Sequence, residues 1–175
     1  MVITLVLGGT RSGKSGHAES LLPAGAPVRY LATARRIDGD PEWAARIAAH
    51  RARRPGTWTT IEDSDVAVAL ADGRSPLLVD DLATWLTGVL DDAGAWAAAT
   101  VPPAVDAQVD ALVAAVAAAP GRVVLVSAEV GLGVVPATRA GRLFRDVLGT
   151  LNAALAAVAD EVVLLVAGLP LTLKQ

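Results

Sequence analysis

Gly8, Gly13, Lys14 and Ser15 fall into the spacing G-x-x-x-x-G-K-[ST] within Gly8-Gly9-Thr10-Arg11-Ser12-Gly13-Lys14-Ser15. Glycines at those positions let backbone N–H groups turn inward around a polyphosphate, and a helix that follows points its positive end at the same place. Lys14 reaches the β- and γ-phosphates, and Ser15 offers a hydroxyl to Mg²⁺. An acid from a neighbouring strand completes such a site. Pro76-Leu77-Leu78-Val79-Asp80-Asp81 supplies a candidate, an apolar strand running into carboxylates. Asp80 comes first off that strand and is assigned with Ser15 to the metal, while Asp81 suits the cap of a helix starting near Leu82. The bland alternative is that both acids only cap that helix.

His50 is the other residue with chemistry to offer. Asp40-Pro41-Glu42 opens a predicted helix that runs to about Arg53, before Pro55-Gly56. His50 lies late in it, one turn beyond Arg46 and close to Arg51, Arg53 and Arg54. Neighbouring cations lower an imidazole pKa and keep the ring a neutral nucleophile near neutral pH. The same cations suit the charge of a leaving pyrophosphate. From spacing alone such a histidine is more often a surface or packing residue. His17, just past the glycine loop, reads as structural. Glu62 closes the predicted strand Thr57–Ile61 and can accept hydrogen bonds from a ribose or base, though by itself it is an ordinary surface acid.

Those residues need a frame. Apolar, β-branched runs recur at 2–7, 28–33, 77–79, 122–127 and 161–167, separated mostly by helix-length segments. The alternation predicts an α/β fold, a mainly parallel sheet with helices on both faces and ligands at the carboxyl ends of its strands. Ala-rich helices are expected at 104–119 and 137–159, and an irregular connection from Gly94 to Pro103. The 175 residues suit one domain, 1–175.

Composition narrows the partners. A net charge of −3 leaves no basic face for a nucleic-acid backbone, and no apolar run approaches the ~20 residues of a membrane span. The chain lacks cysteine, which excludes disulfides and thiolate chemistry. With a strand starting directly after Met1 and no leader pattern, the expected compartment is the cytoplasm. There is no N-K-x-D sequence, so guanine, if read, is read by another device than that of the small GTPases.

Assembled, the chain resembles the bifunctional adenosylcobinamide kinase / adenosylcobinamide-phosphate guanylyltransferase family of cobalamin biosynthesis. The resemblance rests on Gly8–Ser15, Tyr30-Leu31-Ala32-Thr33-Ala34, Arg46-Ile47-Ala48-Ala49-His50-Arg51, and Arg54-Pro55 with Trp58, Thr60 and Glu62. It continues through Val79-Asp80 with Leu82 and Trp85, Glu129–Pro136, Arg142 with Phe144-Arg145-Asp146, and Ala167-Gly168-Leu169-Pro170.

The resemblance implies a RecA-like P-loop NTPase fold and a homotrimer. It makes His50 the nucleophile guanylylated by GTP, with Lys14 on the phosphates. Gly8, Gly9, Thr10, Arg11, Ser12, Gly13, Lys14 and Ser15 hold the triphosphate in that reading. Ala32, Thr33, Ala34, Arg51, Ala52, Arg53, Arg54, Glu62 and Asp80 complete the nucleotide site. The implied reactions are phosphorylation of adenosylcobinamide, with ATP or GTP as donor, and transfer of GMP from GTP onto adenosylcobinamide phosphate. Ala128, Asp81, Ala83 and Gly88 depart from the family's habits, which bears on the corrinoid grip and the kinase step. The alternatives are a guanylyltransferase alone, and a P-loop kinase of another small alcohol.

Overall fold

The computed structural model describes residues 2–35, 54–62 and 64–175. The expected helix through His50 therefore lies outside the described residues, as do His50, Arg51, Ala52 and Arg53.

Seven strands form one sheet: β1 (Ile3–Gly8), β2 (Val28–Ala32), β3 (Trp58–Ile61), β4 (Leu77–Asp80), β5 (Val123–Ala128), β6 (Glu161–Val166) and β7 (Leu169–Lys174). Their order across the sheet is β3-β2-β4-β5-β1-β6-β7. All neighbours are parallel except β6 and β7, which form an antiparallel hairpin at one edge. β1 is central and buried at every position, as a Val/Ile/Leu run covered on both faces must be. Its register sets Gly8 beside Ala128 and Leu165, so the glycine loop emerges at the middle of the carboxyl rim.

Side chains alternate between the faces of each strand. Leu5, Leu31, Val79 and Leu125 enter the larger core, under α2 (Val66–Asp72), α3 (Leu82–Asp92), α4 (Pro103–Ala117) and α5 (Arg139–Val158). Val6, Tyr30, Leu78 and Val126 enter the smaller one, with Ala18 of α1 (Lys14–Ser20) and Leu22 just beyond it. Ends and caps follow local chemistry. Asp65 caps α2 through Ala67 and Val68 N–H, and Thr138 caps α5 through Gly141 N–H. The expected helices at 104–119 and 137–159 appear as α4 and α5, with slightly later starts or earlier ends.

Two contacts, one of them fully buried, steady the rim near the loop. Ser127 Oγ donates to Asn152 Oδ1 at 2.6 Å, and Asn152 Nδ2 donates to the Ala128 carbonyl at 3.0 Å. The β6–β7 turn, Ala167-Gly168, packs on the same loop, with Gly168 N–H on the Ser12 carbonyl at 3.1 Å.

Candidate nucleotide site

Gly13 takes φ +91°, which an L side chain adopts only with strain, and it is the residue from which α1 starts. No side chain caps α1, so its leading N–H groups face the loop. Lys14 Nζ leans back over the loop, 3.4 Å from the Gly9 carbonyl. Ser12 is buried, and its hydroxyl has no hydrogen-bond partner. Uncapped N–H groups, an unsatisfied buried hydroxyl and a loop lysine are donors awaiting an anion, and they fit a polyphosphate. Thr10 and Arg11 are exposed on the loop's outer side.

The strand-end acid meets this loop. Ser15 Oγ lies 3.3 Å from Asp80 Oδ1, although 65 residues separate them in sequence. Hydroxyl and carboxylate are both hard oxygen ligands suited to Mg²⁺. Asp81 turns away, accepting from Thr84 N–H and Thr84 Oγ1 at 2.8 Å each, and so caps α3.

Two residues behind Asp80 extend the site. Tyr30 O–H donates to Asp80 Oδ2 at 2.5 Å, and the Arg54 guanidinium sits 3.3 Å above the Tyr30 ring centroid. Arg54 also donates to Thr60 Oγ1 at 2.8 Å. Burial, reinforced by the Asp80 charge and hydrogen bond, pushes the Tyr30 pKa far above the ordinary tyrosine value, against a smaller opposing pull from Arg54. Tyr30 therefore remains a donor to Asp80 throughout the physiological range. The resemblance implies a nucleotide role for Arg54; in the structure its guanidinium lies on the Tyr30 ring and bonds Thr60. No role falls to Tyr30 in the sequence; its one signal is an aromatic hydroxyl two residues before the end of a strand that is mostly aliphatic.

Tyr30→Phe should remove this hydrogen bond to a carboxylate, lowering stability by roughly 1.5–3 kcal/mol and raising the Mg²⁺ concentration needed for half-maximal turnover. Urea unfolding and a Mg²⁺ titration check both. A pKa raised on folding means that the unfolded chain loses its proton first, so wild-type stability should fall as pH climbs above about 10. The variant should lack Tyr30's share of that fall.

The remaining sequence-assigned residues lie further along the rim. Ala32 ends β2, Thr33 and Ala34 follow it, and half-buried Glu62 directly follows β3. Strands β5 and β4 stand between β1 and β2, and β3 lies beyond β2, so Glu62 is about 19 Å of strand spacing from Gly8. The structure thus joins Ser15 with Asp80 and sets Ala32 and Thr33 beside Asp80, with Thr33 N–H donating to the Asp80 carbonyl at 3.3 Å, while Glu62 lies one strand further along the same edge.

A parallel sheet with a glycine loop leading into a helix, and a strand-end acid against the loop serine, defines a P-loop α/β nucleotide-binding protein. The ATPase of a bacterial type III secretion system has this fold, with a TM-score of 0.52 at 13% identity over 94% of this chain and 51% of that one.

The family is more particular. A model of cobinamide kinase / cobinamide phosphate guanyltransferase matches residues 4–173. Bifunctional adenosylcobalamin biosynthesis protein CobP of Pseudomonas aeruginosa is 44% identical over 177 residues, covering 97% of this chain and 96% of that one. The CobU protein of the same description from Escherichia coli is 39% identical, covering 99% and 100%. The chain belongs to the cobinamide kinase / cobinamide phosphate guanyltransferase family, whose members are kinases and nucleotidyltransferases.

Proposed function

We propose that this protein phosphorylates the aminopropanol hydroxyl of adenosylcobinamide and then transfers GMP from GTP to the resulting phosphate. The single observation that carries this reading is the meeting of Ser15 with Asp80 in a chain the family covers from residue 4 to 173. Ser15 and Asp80 are the proposed Mg²⁺ holders; the bound ion would draw charge from the phosphate oxygens. Gly8 to Ser15 enclose the triphosphate, and Ala32–Ala34, Arg51–Arg54 and Glu62 serve the rest of the nucleotide.

In the kinase step the substrate hydroxyl attacks the γ-phosphorus, the bond to the β–γ bridging oxygen breaks, and the nucleoside diphosphate leaves with the hydroxyl proton released. Positioning and charge carry such a transfer, and Lys14 supplies the fixed cation. In the guanylyl step a His50 ring nitrogen attacks the α-phosphorus of GTP, and pyrophosphate leaves. A phosphate oxygen of adenosylcobinamide phosphate then attacks the same phosphorus, breaking the P–N bond and giving adenosylcobinamide-GDP with His50 restored. Product analysis after incubation with nucleotide, Mg²⁺ and cobinamide tests the reading. Cobinamide phosphate followed by cobinamide-GDP supports it, and turnover only of other small alcohols contradicts it.

The working unit is a trimer in the cytoplasm. In support of assembly, Leu169, Leu171 and Leu173 expose 55–72% of their surface along edge strand β7, an apolar stripe that water disfavours. Sedimentation should give the mass of three chains; a monomer at micromolar concentration would contradict it.

A further inference from the structure

Asn152 lies in the second half of α5, on the stripe that Leu148, Leu151 and Leu155 press into the larger core. An amide in that company loses its hydration on folding, and only hydrogen bonds offset the loss. Among the described residues the buried polar ones are Thr4, Ser12, Ser127 and Asn152. Thr4 bonds Glu161, and Ser12 belongs to the glycine loop. Ser127 and Asn152 bond each other, with Asn152 Oδ1 as the acceptor.

The other end of the amide does something that packing does not require. Strand β4 pairs with β5 from Leu77 opposite Val123 to Asp80 opposite Val126, and Asp81 then turns into the cap of α3. Ser127 and Ala128 therefore run on past the end of β4, while β1 still pairs with them through Leu7 and Gly8. Along a parallel strand successive residues aim their N–H and C=O groups alternately at the two neighbours. Glu129 N–H meets the Gly8 carbonyl at 3.1 Å, so the Ala128 carbonyl points to the side that β4 has left. Asn152 Nδ2 donates to it at 3.0 Å and takes the place of the missing strand.

The Ala128 carbonyl and the Glu129 N–H are two ends of one planar peptide unit. Asn152 grips one end, and the Gly8 carbonyl grips the other. Gly8 in turn carries the loop. A Cβ on Gly8 would collide with Ser12 Oγ and stand 3.1 Å from the Leu165 carbonyl, so the loop folds directly back over Gly8. Any shift of Gly8 is passed to Ser12. The second support of Ser12, Gly168 N–H on its carbonyl, comes from the β6–β7 turn and does not involve Asn152.

We infer that Asn152 is a positioning residue for both transfers: by fixing the Ala128–Glu129 peptide it fixes Gly8 and Ser12, and with them the phosphates that the loop encloses. The inference rests on the proposed function. Asn152 acts from the core, through the backbone. A displacement of about 1 Å in a bound reactant can cost roughly a hundredfold in rate. The loop's donors remain present after such a shift, so the rate should suffer more than the binding.

Asn152→Leu tests this, alone and combined with Ser127→Ala, which removes the hydroxyl left unpaired. Leucine suits the surrounding stripe, so melting temperatures should stay within about 5 °C of wild type. Amide exchange followed by NMR should show Glu129 N–H exchanging roughly tenfold faster or more, with Gly168 N–H unchanged. The kcat for cobinamide phosphate and for cobinamide-GDP should both fall by roughly tenfold or more, with the KM for GTP within about threefold. Folded variants that keep both kcat values within about twofold of an active wild type overturn the inference. So does a lost kcat with unchanged exchange at Glu129, or exchange hastened equally at Gly168, which would mark a purely structural role. Wild-type protein that makes neither product removes the function reading, and the inference with it.

Discussion

His50→Ala protein is expected to lose GMP transfer by roughly 10³-fold or more while still phosphorylating cobinamide at close to the wild-type rate. The asymmetry follows from the chemistry of the two steps. Guanylyl transfer through a covalent intermediate needs an atom that can bond to the α-phosphorus and later leave it. Alanine has none. Transfer of the γ-phosphoryl group needs alignment and charge compensation, and Lys14, Ser15 and Asp80 supply these whether or not His50 is present. Separate assays for cobinamide phosphate and cobinamide-GDP measure the split. Equal loss of both products would mean that one merged site carries the two reactions.

Lys14→Ala should depress both reactions, each by about 10²–10³-fold, the usual cost of removing one fixed donor from developing charge. Lys14 leads α1 directly after Gly13, and its ammonium already leans over the loop toward the Gly9 carbonyl. A bound triphosphate would offer that ammonium far stronger acceptors than a lone carbonyl. Because both steps draw on a triphosphate held by the same loop, neither should be spared. Arginine at position 14 should not restore activity, because its planar fork cannot stand in for a compact point charge inside a tight loop. Initial rates of both products, with melting curves to confirm folding, check the expectation. Retention of either activity above a tenth of wild type would place the phosphates elsewhere.

How much of this was legible in the residues differs from element to element. The glycine loop, the strand ahead of it and Asp80 at the end of β4 are local patterns, and local patterns survive folding. Asp81 as a cap was readable because capping is an affair of three consecutive residues. The meeting of Ser15 with Asp80 is legible as the habit of a P-loop site, whereas the strand order that brings the two together is not encoded in hydrophobic spacing. The same holds for Tyr30: its hydroxyl matters because β2 pairs with β4 and sets Ala32 beside Asp80. Strand β7 does alternate, Leu169, Leu171 and Leu173 against Pro170, Thr172 and Lys174, but a proline inside the run argues against a strand. The role proposed for His50 rests on the family resemblance and on the arginines around it in sequence.

The central claim is that GMP passes through the protein itself. Incubating the protein with Mg²⁺ and GTP labelled at the α-phosphate, then adding unlabelled GTP and cobinamide phosphate, tests it most directly. The account predicts an acid-labile, alkali-stable label on the chain, absent from His50→Ala protein and moving to cobinamide-GDP during the chase. Normally folded His50→Ala protein that labels as strongly as wild type, or a label that stays on the chain through the chase, would contradict it.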